Sequence, residues 1–415
     1  MEESEVVTPV RTTLAQPLRH GVRLWILHRV WAAWGWGKLV MPKSWPTALG
    51  SAFAVIAVIS LGVESLGTPI VAAALAVLGL VPLVGDWREV REDLHDLNDV
   101  KQPIPDVAVD GDWELMRYPQ GRMIVSPSVD RNLDRPFVVS SRTYKLPPDL
   151  AAVKPAVIAL ARSKRSRAAS QPFDGFNVRL CEDLDAAGSE VRLQPARYFD
   201  TMASNYLAGQ AWWSKRLHRV VADVTRNIMT DSGKLIPLAH SGLANQIGIS
   251  TIALTTDGSM LLVHQGPAAR SSGGLVAPSG SGSLEPADLA GCSSLVEAIA
   301  AGMERELREE LGLGRAEMRG VVIDTEVVGF GRWLEKGAKP EFVGISWIHA
   351  TERDLDTRID LSERQFVADH LHIPPQQVDR LLAGERFENL GVGLPSVPLE
   401  LCLARWRERE QSVSR

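Results

Sequence analysis

The chain has 415 residues, a formal net charge of −5, 45% hydrophobic and 23% charged residues. That length leaves room for about two soluble domains beside a membrane segment, and the near balance of charge excludes the global basic field that nucleic acid binding calls for. Three scattered cysteines, Cys181, Cys292 and Cys402, with no CxxC pair, exclude a disulfide framework and a cysteine zinc site.

In chain order, residues 1–45 come first as a Trp- and Arg-rich segment, with Leu18 to Val40 expected to lie along a membrane surface as an amphipathic helix. Thr47 to Val63 and Pro69 to Gly85 are apolar runs of 17 residues with no charge inside, separated by Glu64 to Thr68. This is the low end of a helical span, so residues 46–86 are expected to form a two-helix transmembrane hairpin, the alternative being a buried hairpin in a soluble core. Arg11, Arg19, Arg23, Arg29, Lys38 and Lys43 precede the first span, while the short connecting loop has no Lys or Arg. The positive-inside rule then puts the N-terminus and everything after the hairpin in the cytosol, with the bilayer as a partner. Trp45 before the first run and Trp87 after the second fit an interfacial aromatic belt.

Residues 87–105 follow as a charged linker, where Val90, Leu94 and Leu97 at helical spacing predict a helix ending before Pro103 and Pro105. Residues 106–240 mix strand and helix signals and are expected to form an accessory α+β region. Its basic stretch Arg162, Lys164, Arg165 and Arg167 is a solvated loop or a contact for anionic lipid or substrate.

The remainder, 241–415, opens with two extended apolar runs, Ile249–Thr255 and Met260–His264, joined by the turn signal Asp257-Gly258, which read as a hairpin. Val321–Asp324 and Phe342–Trp347 are further strand candidates. Between them Gly329 to Pro340 is expected to be a loop, where Arg332, Lys336 and Lys339 either bind phosphate oxygens or are plain surface charges. From Leu355 to Glu410 the pattern is mainly helical. His370 and His372 are the closest pair of histidines and have no Cys or Glu at ligand spacing.

Gly291 to Leu313 carries the strongest chemical signal. Glu306, Glu309 and Glu310 fall on one helical turn, and offsets of three and four share a helix face. Crowded carboxylates repel unless a cation neutralises them, and an oxygen-rich set completed by water and phosphate suits Mg²⁺. On composition alone the same residues also fit a solvated face laced with ion pairs. The full spacing runs Gly291, Glu297, Arg305, Glu306, Leu307, Glu309, Glu310, Gly312 and Leu313, and it resembles the Nudix hydrolase box at every fixed position.

That resemblance implies an α/β class, a Nudix α/β/α sandwich, and Mg²⁺-dependent (or Mn²⁺-dependent) hydrolysis of a nucleoside diphosphate linked to another group. By the family pattern Glu306, Glu309 and Glu310 bind metal and Arg305 orients a neighbouring glutamate. Glu297 is a further ligand or supporting acid. In most members the glycine turn lies close before the first glutamate. Here the similar Pro278–Ser283 turn, with Gly280 and Gly282 as substrate-side glycines, lies well upstream, as if a loop had been inserted around 285–293, and either glycine region could offer a carbonyl to the metal. Residues 173–251 bear a looser likeness to a Nudix subgroup acting on UDP-sugars, through Phe173–Leu180, Tyr198–Thr201 and Ser204-Asn205. Family members often pair, so a homodimer is among the states the resemblance allows. The alternative function is a nucleotide-sensing Nudix domain, with little or no catalysis, reporting to the membrane hairpin.

Overall fold

The β-branched run around Ile249 becomes a strand buried along its whole length, which is what a sheet covered on both faces requires. The computed structural model describes residues 96–165, 174–186, 188–266, 269, 272–359 and 367–413. Among the described residues it is a mixed α/β chain with three sheets and six α-helices. Residues 93–415 pack as one unit.

The strands in chain order begin with β1 (Leu97–Lys101), β2 (Glu114–Tyr118), β3 (Gly121–Val125) and β4 (Phe137–Val139). Then come β5 (Phe176–Leu180), β6 (Val191–Arg197), β7 (Gln210–Ser214) and β8 (Arg219–Asp223). The long central strands are β9 (Gly248–Thr255) and β10 (Met260–Gln265), followed by the short β11 (Val276–Pro278) and β12 (Gly280–Ser283). The set closes with β13 (Ile323–Trp333), β14 (Lys339–Ile348) and β15 (Val367–Ile373). The helices are α1 (Pro127–Asp130), α2 (Pro148–Arg165), α3 (Tyr198–Met202), α4 (Leu295–Glu310), α5 (Pro375–Leu382) and α6 (Val397–Val413).

Nine strands make the principal sheet, in the order β11-β10-β9-β14-β13-β3-β2, with β12 also on β9 and β15 on β10. Strand β9 runs parallel to β14 from Gly248 opposite Glu341 to Thr255 opposite Ile348. The β9–β10 hairpin pairs only at its closed end, Met260 with Leu254 and Leu261 with Ala253. Beyond that point the two strands part, and β11 takes up the edge of β10 while β12 takes up the edge of β9. Alternate residues of a strand face opposite sides. Accordingly Ile249 packs with Leu295, Ile299 and Met303 of α4, whereas Ile252 and Leu254 pack with Leu399, Leu403 and Trp406 of α6. One helix therefore covers each face.

Of the described residues before 240, several strands join or pack against this core. Strands β2 and β3 extend the principal sheet from β13. The small sheet β4-β6-β5 supplies Val178, Leu180, Val191 and Leu193 to the same cluster as Ile299 and Met303 of α4. The other small sheet, β1-β7-β8, packs Trp212 and Ala222 with Leu150, Val153 and Val157 of α2.

Four sequence expectations meet a different outcome. From Leu97 to Lys101 the expected linker helix is instead strand β1, because pairing with β7 from Leu97 opposite Ser214 satisfies that backbone in a ladder, while residues 87–95 lie outside the described residues. The expected loop from Gly329 to Pro340 is mostly strand: β13 continues to Trp333 and β14 starts at Lys339, joined by a turn with Gly337 at φ 67°. The expected helical C-terminal stretch contains β15, which pairs with the outer edge of β10 from Met260 to Gln265. Residues 162–165 of the basic stretch continue α2 and Arg167 lies outside the described residues. The expected spans at 47–63 and 69–85 and the surface helix at 18–40 also lie outside the described residues, among which no helix is long and apolar enough to cross a membrane.

Candidate active site

Helix α4 starts from a defined cap. Ser294 accepts from the backbone N–H of Glu297, and Glu297 returns its carboxylate to the N–H groups of Ser293 at 2.6 Å and Ser294 at 3.3 Å. This reciprocal box satisfies donors that a helix end leaves orphaned, and it holds the Glu297 carboxyl below the usual range, chiefly through the Ser293 N–H. Glu297, expected as a metal ligand or supporting acid, thus caps the helix at an exposed position. It stands nine residues, roughly 13 Å of helix, from Glu306.

At the other end of α4 the carboxylates meet strand β12. The Ser283 N–H donates to Glu306 Oε1 at 3.3 Å and the Ser281 N–H donates to Glu310 Oε2 at 3.2 Å. Alternate N–H groups of one strand thereby address two ligand candidates four residues apart on the helix. The approach depends on the glycines between them. A Cβ on Gly282 would coincide with the Glu306 carboxylate, and a Cβ on Gly280 would lie 2.7 Å from Thr251 Cγ2 and 3.0 Å from the Met303 carbonyl. Gly280 and Gly282, expected on the substrate side, are the residues that let the helix carboxylates rest against the strand. Gly291, by contrast, is exposed with φ 80° and open space where its Cβ would be. Of the two glycine regions the sequence offers, it is 280–283 that lies at the carboxylates.

Arg305 links the set. Its Nε and Nη2 donate to the two oxygens of Asp288 at 2.8 and 2.9 Å, and Nη2 also reaches the Ser283 carbonyl at 3.0 Å. Its Nη1 donates to Glu306 at 2.9 Å and Glu309 at 3.4 Å. Burial pushes the Glu306 carboxyl up to about 8, with Glu309 adding to the rise and Arg305 opposing it. Burial also raises Glu309, helped by Glu285 and Asp288 and again opposed by Arg305. Glu310 is buried, and its backbone carbonyl accepts from His370 Nε2 at 2.8 Å across strand β15.

The two cations expected at phosphate are both held in buried ion pairs. Arg332 is buried, donating to Asp183 at 3.0 Å and to the carbonyls of Ala338 and Ile236. Lys339 is buried against Glu341 at 2.7 Å, and Glu341 also accepts from Ser250. The expected loop placement and surface exposure of both residues give way for one reason. A residue placed in a loop is free to reach out, whereas on β13 and β14 alternate side chains are committed to packed faces.

Two of the looser motif residues upstream also make internal hydrogen bonds. Asp174 accepts from the Phe199 N–H at the start of α3, and Asn205 bridges Asn245 and the carbonyls of Lys336 and Gly337. Asp288 escaped the sequence reading. Its signal is the Glu285-Pro286-Ala287-Asp288 capping pattern, which the structure uses as a box at a short 3₁₀ turn.

Among the described residues no three Asp, Glu, His or Cys side chains already converge as a metal cage. The donor chemistry nonetheless fits a hard cation: carboxylate oxygens from Glu306, Glu309 and Glu310 lie along one helix end, and a positive guanidinium now sits between two of them.

No family model matches this chain, and no curated protein matches it. Among solved structures, DR0079 from Deinococcus radiodurans is similar at 10% sequence identity, over 43% of this chain and 96% of that chain, with a TM-score of 0.26. A superposition that loose fixes neither fold nor function.

Proposed function

We propose that this chain is a Mg²⁺-dependent (or Mn²⁺-dependent) Nudix hydrolase that cleaves the diphosphate linkage of a nucleoside diphosphate derivative, with nucleotide sugars as the first candidates. On this reading residues 241–415 carry the Nudix α/β/α sandwich, and the N-terminal hairpin anchors it to a membrane with the active face in the cytosol. The observation that carries the proposal is the meeting of Glu306 and Glu310 with the N–H groups of the glycine strand β12, with Arg305 bridging Glu306 and Glu309.

Glu306, Glu309 and Glu310 would hold the cation. When bound, it supplies charge neutralisation at the diphosphate oxygens and a more acidic water. The chain's own groups do the rest. The Ser281 and Ser283 N–H groups fix two carboxylates, so little reorganisation is needed when charge develops nearby. Glu309 has a side chain 49% exposed and a single long bond to Arg305, and it is the member of the set open to solvent. It is the group suited to take the proton from water as the water oxygen bonds to one phosphorus and the bridging P–O bond breaks. The leaving phosphate departs with the bridging oxygen.

The test is turnover of ADP-ribose, NADH and UDP-glucose by the full-length protein in detergent with Mg²⁺, beside direct binding of each. Glu309→Gln should lower turnover by about 10²- to 10³-fold, as loss of a comparable electrostatic element does, with an unchanged melting temperature. Equal turnover by the variant refutes the site. Binding of a nucleotide without any product favours the sensing alternative.

A further inference from the structure

We infer that Asp288, outside the nine-position motif, is a positioning residue that sets the affinity of the carboxylate site for a divalent cation by fixing Arg305. The inference rests on the site reading above. Arg305 has five donor hydrogens in a rigid plane. Asp288 takes the Nε and Nη2 edge in a bidentate pair at 2.8 and 2.9 Å, which determines the plane and leaves Nη1 aimed at Glu306 and Glu309. In the cation-free chain Nη1 is thus a stand-in positive charge that keeps two carboxylates together. When a cation enters, the guanidinium must yield Nη1 while keeping its grip on Asp288. Without Asp288 the guanidinium has only the ligand carboxylates and the Ser283 carbonyl to hold, so it competes with the cation.

Two features show that Asp288 is built into place. The 3₁₀ turn Pro286–Leu289 presents it, with the Glu285 N–H donating to Asp288 Oδ2 at 2.8 Å, and its side chain is only 5% exposed. Opposite it stands Gly302, inside α4, where a Cβ would come within 3.0 Å of Asp288 Oδ2. A glycine inside a helix is unfavourable relative to alanine, and here it makes the space the carboxylate occupies. The turn belongs to the 285–293 segment that separates the glycine strand from the helix, so the longer connection brings its own acid to the site.

The experiment is Mn²⁺ titration of the full-length protein in detergent, followed by electron paramagnetic resonance, with thermal melting in parallel. Two variants divide the explanations. Asp288→Asn removes the charge and preserves the shape, and Asp288→Glu preserves the charge and moves it by one methylene. A positioning role predicts weaker Mn²⁺ binding in both, by about tenfold or more, as loss of a group that orients metal ligands does. Wild-type affinity in Asp288→Glu, with loss only in Asp288→Asn, reduces Asp288 to a charge acting through space and overturns the inference. Unchanged affinity in both with a lowered melting temperature makes it a purely structural pair and also overturns it. Failure of the wild-type chain to bind Mn²⁺ would refute the site reading itself, a separate result.

Discussion

Arg332 and Lys339 on the β13–β14 hairpin and Arg305 on α4 are all basic side chains set among carboxylates, and they differ in how the charges are counted out. Arg332, 2% exposed, has one carboxylate, Asp183, and two backbone carbonyls. Lys339, 4% exposed, has Glu341. Arg305, 22% exposed, faces Asp288, Glu306 and Glu309 at once, with Glu310 one residue further. Buried one-to-one pairs are closed: each charge has its partner and nothing further can bind without breaking the pair. A group of acids around a single guanidinium, partly open to water, has more carboxyl groups than the guanidinium can pair, and a cation can take them up as carboxylates once their protons leave. Charge balance and access, more than the presence of a basic residue near the sheet, separate scaffold from site.

The most forceful way to break that comparison is Arg332→Ala. Removing one partner of a buried pair strands the other, so the variant should lose about 3–5 kcal/mol of stability, read by denaturant unfolding. Its effect on turnover should follow the folded fraction. A stable Arg332→Ala protein with raised KM would show that Arg332 serves the substrate after all.

The carboxylate group predicts a pH dependence of definite sign. In the cation-free protein Glu306 titrates near 8 against an ordinary value of 4.5. A carboxyl raised on folding binds its proton more tightly in the folded chain. Its contribution to stability is therefore full below about pH 4.5 and is lost as pH rises through 8. The melting temperature of the metal-free protein should fall across that interval. Glu306→Gln should flatten part of the slope, and the remainder includes Asp130, which burial raises to about 6. A slope of the opposite sign, or one untouched by Glu306→Gln, would show that Glu306 is well compensated and belongs with the closed pairs.

How much of this was legible in the sequence depends on the range of the interaction. Spacing along one helix is local, so the placement of Glu306, Glu309 and Glu310 at one end of α4 followed directly from residue numbers. Strand β9 was equally clear because β-branched residues and the Asp257-Gly258 turn are local signals. What pairs with what was not. Strand β1 is set by β7 more than a hundred residues away, and β15 by an edge of β10 that periodicity does not reveal. The same holds within the site. Asp288 meets Arg305 across 17 residues because Gly302 leaves space for it, a complementarity visible only once the turn and the helix are packed. The extent of β13 and β14 misled for a similar reason: Gly329 and Pro340 look like loop residues, yet in this sheet Gly329 admits the Arg405 side chain and Pro340 pairs opposite Arg332.

The smallest effect is also the sharpest test of how the two kinds of acid differ along one helix. Glu297 and Glu306 share α4, but Glu297 spends its carboxylate on the N–H groups of Ser293 and Ser294 and on the Ser293 hydroxyl. A glutamine there retains an oxygen acceptor and completes the same capping box. Glu297→Gln should therefore leave turnover, Mn²⁺ affinity and melting temperature close to wild type, whereas Glu297→Ala should lower the melting temperature slightly with turnover preserved. A metal ligand would behave in the opposite way, since neutralising its charge is the harmful change and the loss of a cap is incidental. A clear loss of Mn²⁺ affinity in Glu297→Gln would place Glu297 with Glu306, Glu309 and Glu310, and would mean that the N-terminal turn of α4 opens from its cap when the cation binds.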